Sequence, residues 1–145
     1  MANCTNVGFA GSFTFNGQNI LPSGKVCVLS GYVQSAATQT ATVTNSTGVV
    51  VAQIQGVGGT TGTPVVMTSP SGKTNAFTAD GNSYTITFTS TSGQTTRGLS
   101  ASDNIAIGST TYAASWTFIT EDIPNGGDCD FNDATVSLTW NLLKG

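Results

Sequence analysis

The chain has 145 residues, a length that suits one domain around a single core. Only 8% of its residues are charged, yet no apolar run approaches the ~20 residues that a spanning helix needs, which argues against membrane insertion. The formal net charge is -3 and the four cations, Lys25, Lys73, Arg97 and Lys144, are scattered, so no basic face is available for nucleic acid.

The opening segment, MANCTNVGFAG, has no basic flank and no long apolar stretch, and does not read as a Sec-type signal peptide. The expectation is a soluble protein, cytoplasmic or exported by a non-Sec route. From there onward the dominant signal has period two. In chain order, SFTF, KVCVLSGYV, TQTATVT, VVVAQI, TPVVMT, NSYTITFTST, NIAI, YAASWTFIT and ATVSLTWNL read as strands. In NSYTITFTST, Tyr84, Ile86 and Phe88 alternate with Thr85, Thr87 and Thr89. In ATVSLTWNL, Ala134, Val136, Leu138, Trp140 and Leu142 alternate with Thr135, Ser137, Thr139 and Asn141. Such alternation gives one face to the core and one to water. The runs are separated by turn signals: FNGQN, LPSGK, TNSTG, GVGGTTG, SPSGK, ADGNS and STSGQ. The expected fold is all-β, an antiparallel β-sandwich of eight to nine strands, with residues 1–145 as one domain. The many threonines follow no fixed repeat and are read as solvent-facing strand positions.

Cys4, Cys27 and Cys129 are an odd set, which defines no disulfide framework. They are expected to be free or partly buried thiols, with a Cys4–Cys27 bridge as the alternative. With no histidine in the chain, they also fall short of a zinc site.

The acids are not scattered. Glu121, Asp122, Asp128, Asp130 and Asp133 are five of the seven in the chain, and no cation lies among them. Glu121 and Asp122 close the run YAASWTFIT, and Asp133 precedes the last strand. Asp128, Asp130 and Asn132 are spaced by two, which in extended chain aims them one way and Cys129 and Phe131 the other. Like charges at such range repel by about 1 kcal/mol per pair even in water. The economical counterweight is a bound cation. Carboxylate and amide oxygens without histidine select Ca²⁺ over zinc or copper, and a dense protein set favours Ca²⁺ over Mg²⁺. The stretch is not an EF-hand, because the sixth and twelfth positions counted from Asp128 are Asp133 and Thr139 rather than Gly and Glu. Glu121, Asp128, Asp130 and Asp133 carry four negative charges, which two Ca²⁺ ions neutralise, leaving Asp122 as a free acceptor. The competing readings are an ion-free acidic turn, a surface or adhesin module with one structural calcium, and a glycosidase built on paired carboxylates. The last is disfavoured by the crowding of the acids, and neither a histidine nor a Gly-x-Ser-x-Gly elbow is present.

These residues resemble the soluble two-calcium bacterial lectins that bind fucose and mannose, the LecB type. The match is Glu121-Asp122, a short loop, Asp128-Cys129-Asp130-Phe131-Asn132-Asp133-Ala134, then Trp140 and the terminal Gly145. It is weaker upstream, where Gln34, Ser35-Ala36-Ala37 and Thr38-Gln39-Thr40 match a calcium-touching residue, a three-residue specificity loop and Thr-Gln-Thr. The resemblance implies calcium ligation by Glu121, Asp128, Asp130, Asn132 and Asp133, with the Gln34 backbone carbonyl touching an ion. It implies sugar contacts from Ser35, Ala36, Asp122, Asp128, Asp130 and Asp133, with fucose placed ahead of mannose. It also implies a homodimer or homotetramer in which the Gly145 carboxylate reaches a neighbour's site. Three features depart from the pattern: a longer loop at residues 123–127, Cys129 in place of a polar residue, and a tail two residues longer.

Overall fold

The computed structural model describes residues 2–59 and 62–142. Its strands are β1 (Phe9–Ala10), β2 (Ser12–Phe15), β3 (Val26–Val33), β4 (Thr38–Asn45), β5 (Val50–Val57), β6 (Val65–Val66), β7 (Ala76–Thr78), β8 (Tyr84–Ser90), β9 (Arg97–Ile107), β10 (Thr110–Glu121) and β11 (Ala134–Asn141). All nine runs expected from the alternation become strands. Two more, β1 and β7, are only two and three residues long. Segments that short carry too few alternations to register as a period.

The strands form two antiparallel sheets. The larger has the order β1-β9-β10-β11-β3-β6, with β7 also paired to β3, and the smaller has the order β2-β8-β4-β5. Their inner faces enclose one core. From the larger sheet come Leu29, Val33, Phe118, Val136 and Leu138; from the smaller come Phe15, Ala41, Val43, Ile54 and Ile86. Phe118 sits among four rings from three other strands, β1, β2 and β8. Its centroid lies 5.3 Å from Phe13, 5.4 Å from Phe88, 6.0 Å from Phe15 and 6.1 Å from Phe9. The Phe9 ring fits because residue 98 is glycine: a Cβ there would fall 2.1 Å from it.

Register decides what meets at one end of the sandwich. Thr120 of β10 faces Ala134 of β11, so the connection between them, residues 122–133, starts and ends at one level. Ala134 also faces Val33 of β3, which brings the β3–β4 connection, residues 34–37, alongside. Gln39 of β4 faces Ser90 of β8, which adds the start of the β8–β9 connection. Three connections therefore converge beside the last turn of β10, where loops on a rigid scaffold commonly carry binding residues.

The cysteine expectation is overturned. Cys4 and Cys129 form a disulfide with a Cα–Cα distance of 6.0 Å, and Cys27 alone is the free, buried thiol. The two partners are 125 residues apart in sequence. They meet because the N-terminal segment lies antiparallel along the loop at residues 123–127, through a bridge between Asn3 and Asn125 and a Cys4 N–H to Pro124 carbonyl bond of 2.8 Å. Burial pushes the Cys27 thiol up to about 11, so it stays protonated and unreactive at neutral pH. Among the described residues, no helix is long and apolar enough to cross a membrane.

Candidate functional site

Glu121 ends β10 and is 2% exposed. Its Oε1 accepts a 3.0 Å bond from the Ile123 N–H, while its Oε2 is buried with no hydrogen-bond partner. A buried carboxylate oxygen without a donor is costly unless a cation meets it. Arg97 faces Glu121 across the β9–β10 register but directs its guanidinium to the Val7 and Gly8 carbonyls, at 2.9 and 2.8 Å. Gly127 makes room for the Glu121 carboxylate: a Cβ there would lie 3.1 Å from Oε1 and 2.4 Å from the Ile123 carbonyl oxygen.

Two groups of carboxylates surround this residue. Glu121, Asp128 and Asp130 can each offer an oxygen within 4.8 Å of the others, and so can Glu121, Asp122 and Asp133. Glu121 belongs to both. The donor chemistry is all oxygen, and the orphaned Glu121 Oε2 lies within it, so these residues fit a hard cation such as Ca²⁺.

Asp122 is 2% exposed and held from several directions. Its Oδ2 accepts bonds from Ser35 Oγ at 2.8 Å, from Ser90 Oγ at 3.0 Å and from Gln39 Nε2. Its carbonyl accepts one from Ser92 Oγ at 2.6 Å, and its N–H donates to Asp133 Oδ2 at 2.7 Å. One Asp122 oxygen is thus committed to the protein rather than left free. Of these partners, Ser90 and Ser92 were not singled out from the sequence, and Gln39 was named only within the Thr38-Gln39-Thr40 match, with no role towards Asp122. A signal for two of them exists: Gln39 shares a strand face with Ala41 and Val43, and Ser90 shares one with Ile86 and Phe88. A polar residue at an inward position needs a polar partner inside.

Asp133 stands at the junction. Its carbonyl accepts the N–H groups of Gln34 and Ser35 at 2.9 and 3.3 Å, which fixes the β3–β4 connection against the acids. Burial raises its carboxyl to about 7; the Asp122 N–H opposes the rise, and the Asp122 and Glu121 charges add to it. In the ion-free fold this group is therefore poised between its charged and neutral forms at neutral pH. The Gln34 side chain turns away to the Gly62 carbonyl at 3.1 Å.

The expectation of extended chain through Asp128, Asp130 and Asn132 is corrected. Strand ends at Glu121 and resumes at Ala134, and Cys129 and Phe131 have φ of 59° and 56°. The side chains still alternate: Asp128, Asp130 and Asn132 are exposed, Cys129 is half-buried and Phe131 is buried. Left-handed residues, not a pleat, produce that alternation. Positive φ at non-glycine residues persists only where the surroundings impose it. Here the disulfide anchors Cys129 and burial anchors Phe131. Asn132 is tied to Asp130: its backbone N–H donates to Oδ1 at 3.2 Å and its side-chain amide to Oδ2.

The acids open into a cleft of about 380 Å³. Ser35, Ala36 and Ala37 line it, as do Asp122, Asp128 and Asp133. Ser35 Oγ caps its own turn by accepting from the Ala37 N–H at 3.0 Å while donating to Asp122. Small side chains leave the cleft open above the carboxylates. Gly145 lies outside the described residues.

Comparison with known proteins bears on the fold and the family. Among solved structures, the chain is similar to the C-terminal domain of the BC2L-C lectin from Burkholderia cenocepacia, at 18% identity and a TM-score of 0.65, covering 93% of this chain and 98% of that one. It is similar to the Chromobacterium violaceum lectin CV2L, solved with α-methyl-fucoside, at 20% identity and a TM-score of 0.62, covering 94% and 100%. It is also similar to a Ralstonia solanacearum high-affinity mannose-binding lectin, at 22% identity and a TM-score of 0.65, covering 92% and 97%. At these identities the likeness shows the fold. No curated protein sequence matches the chain. The family model described as fucose-binding lectin II (PA-IIL) matches residues 18–142, and the chain belongs to that family of lectins.

Proposed function

We propose that the protein is a calcium-dependent, non-catalytic lectin for fucose or mannose, with two adjacent Ca²⁺ ions in the acidic cleft. The observation that carries this reading is Glu121, a buried carboxylate with one unpartnered oxygen, shared by two carboxylate groups at the floor of an open cleft. Glu121, Asp128, Asp130, Asn132 and Asp133 are the ligands, with the Gln34 carbonyl beside them. Bound calcium supplies open coordination positions that vicinal sugar hydroxyls fill in place of water. Asp122, Asp128, Asp130 and Asp133 accept from those hydroxyls, and charge-assisted bonds of this kind are roughly twice as strong as neutral ones. Ser35 and Ala36 form the facing wall, and their small size admits a pyranose ring. Ser35 donates its hydroxyl to Asp122, and fucose is placed ahead of mannose because the resemblance to the family implies that preference for a serine at the first loop position. The whole chain acts as one soluble lectin domain. It forms a homodimer or homotetramer, and paired shallow sites gain avidity.

The test is glycan binding with calcium, with excess EDTA, and with Asp130→Ala. Binding in calcium, lost in EDTA and lost in a folded Asp130→Ala, is expected. If EDTA lowers the melting temperature but no glycan binds, the site is a structural calcium module and the lectin reading falls.

A further inference from the structure

We propose that the Cys4–Cys129 disulfide is a positioning element of the calcium site, which makes the N-terminal strap part of the binding machinery. The inference rests on the calcium reading above. Cys129 lies between Asp128 and Asp130, so the bridge is attached to the backbone that carries two candidate ligands. Cys129 and Phe131 hold left-handed backbone, a conformation that is unfavourable for a non-glycine residue unless its surroundings enforce it. The enforcement is unequal. Phe131 is buried, whereas Cys129 is only half-buried, and its one strong tie is the sulfur bond to Cys4. Its Sγ otherwise has only a 3.8 Å contact with the Pro124 carbonyl.

The other end of the bridge is anchored well. Cys4 is 4% exposed, and its N–H donates to the Pro124 carbonyl at 2.8 Å. The Gly126 N–H donates to the Ala2 carbonyl at 3.0 Å. Gln94 grips Asn125 from the opposite side, accepting from its N–H at 3.1 Å and donating to its carbonyl at 3.2 Å. The loop at residues 123–127 is thus clamped between the strap and the β8–β9 connection. The Gly127 N–H to Ile123 carbonyl bond of 3.1 Å extends that clamp to the residue before Asp128, and the bridge carries it on to Cys129, between Asp128 and Asp130. Cutting it releases Cys129 from left-handed backbone and lets Asp128 and Asp130 drift from Glu121. Glu121 keeps its place, because β10 and the Ile123 N–H hold it. Cys27 is buried and protonated, so it does not compete for either sulfur.

Reduction by a dithiol breaks the S–S bond and places two electrons and two protons on Cys4 and Cys129 as thiols. The reductant leaves as its cyclic disulfide. The experiment titrates calcium chloride alone, by calorimetry, into oxidised protein, dithiothreitol-reduced protein and Cys4→Ser. Cys4→Ser cuts the bridge without touching the acidic segment. Melting temperatures are recorded for all three with and without calcium. Reduced protein and Cys4→Ser are expected to bind calcium on the order of 10- to 100-fold more weakly, the scale seen when groups that orient metal ligands are lost. Dithiothreitol is expected to leave Cys4→Ser unchanged, and reoxidation to restore the wild-type affinity. Unchanged calcium affinity, with melting lowered equally in calcium and in EDTA, overturns the inference by making the bridge a general staple. Global unfolding of the reduced protein in saturating calcium overturns it too. If oxidised protein binds no calcium, it is the calcium reading that has failed, and the inference falls with it.

Discussion

At the scale of single residues, the site is a balance between burial and charge. Asp133 shows this most directly. Its carboxyl is raised from an ordinary 3.8 to about 7 in the ion-free fold, so the folded state holds the proton more tightly than the unfolded chain does. Its contribution to stability is complete below about pH 4 and is lost as pH rises through about 7. In EDTA, the wild-type melting temperature is therefore expected to fall between pH 5 and pH 8 more than that of Asp133→Asn. Calcium must displace the same proton, so calcium affinity is expected to weaken as pH drops below about 7, with protons released on binding. Calorimetry in buffers of different ionisation enthalpy measures that release. Gly127 tests the packing around Glu121. The Cβ of Gly127→Ala would meet the Ile123 carbonyl at 2.4 Å, and a carbonyl oxygen in a tied loop cannot retreat cheaply. The loop and the Glu121 carboxylate shift instead, and calcium affinity is expected to fall by about 10-fold or more, read by titration on folded protein.

At the scale of elements, strands such as β8 and β11 were legible because their inner faces are apolar and their outer faces are mostly Thr and Ser. In β8, Tyr84, Ile86 and Phe88 are buried, and in β11 so are Ala134, Val136, Leu138 and Trp140. The five acids were legible as a group because charge is so sparse elsewhere. The backbone between Asp128 and Asp133 was not. Spacing by two predicts a pleat, but left-handed Cys129 and Phe131 yield the same sidedness from a compact loop. The bridge from Cys4 to Cys129 was equally hidden, since spacing cannot reveal a contact made only when the N-terminal strap folds onto a loop 125 residues away. Gln39 and Ser90 stood in plain sight as polar residues on inward strand faces; the β4–β8 register sets them side by side, and their partner, Asp122, comes from just past the end of β10 in the other sheet. Strand β10 links core to site, with Phe118 in the aromatic cluster three positions before Glu121. Phe118→Ala is expected to destabilise the protein by about 3–5 kcal/mol, seen as a lower urea midpoint. Saturating calcium should recover part of that loss, because a ligand that binds only folded protein stabilises it.

At the scale of the whole molecule, two sheets serve to bring three connections to one end. The larger sheet delivers Glu121, Asp122 and Asp133 from the adjacent ends of β10 and β11. It also places the Ser35–Ala37 wall beyond β3, and the smaller sheet backs Asp122 with Gln39 and Ser90. No large apolar pocket is required, which suits a chain with few charges and a Thr-covered surface. The central claim is that calcium in this cleft holds the sugar, and a crystal grown with calcium and methyl fucoside tests it most directly. The account predicts two adjacent ions among Glu121, Asp128, Asp130, Asn132 and Asp133, with fucoside hydroxyls on both ions and the ring against Ser35 and Ala36. A single ion fully enclosed by protein oxygens, with the fucoside absent or bound elsewhere, would contradict it.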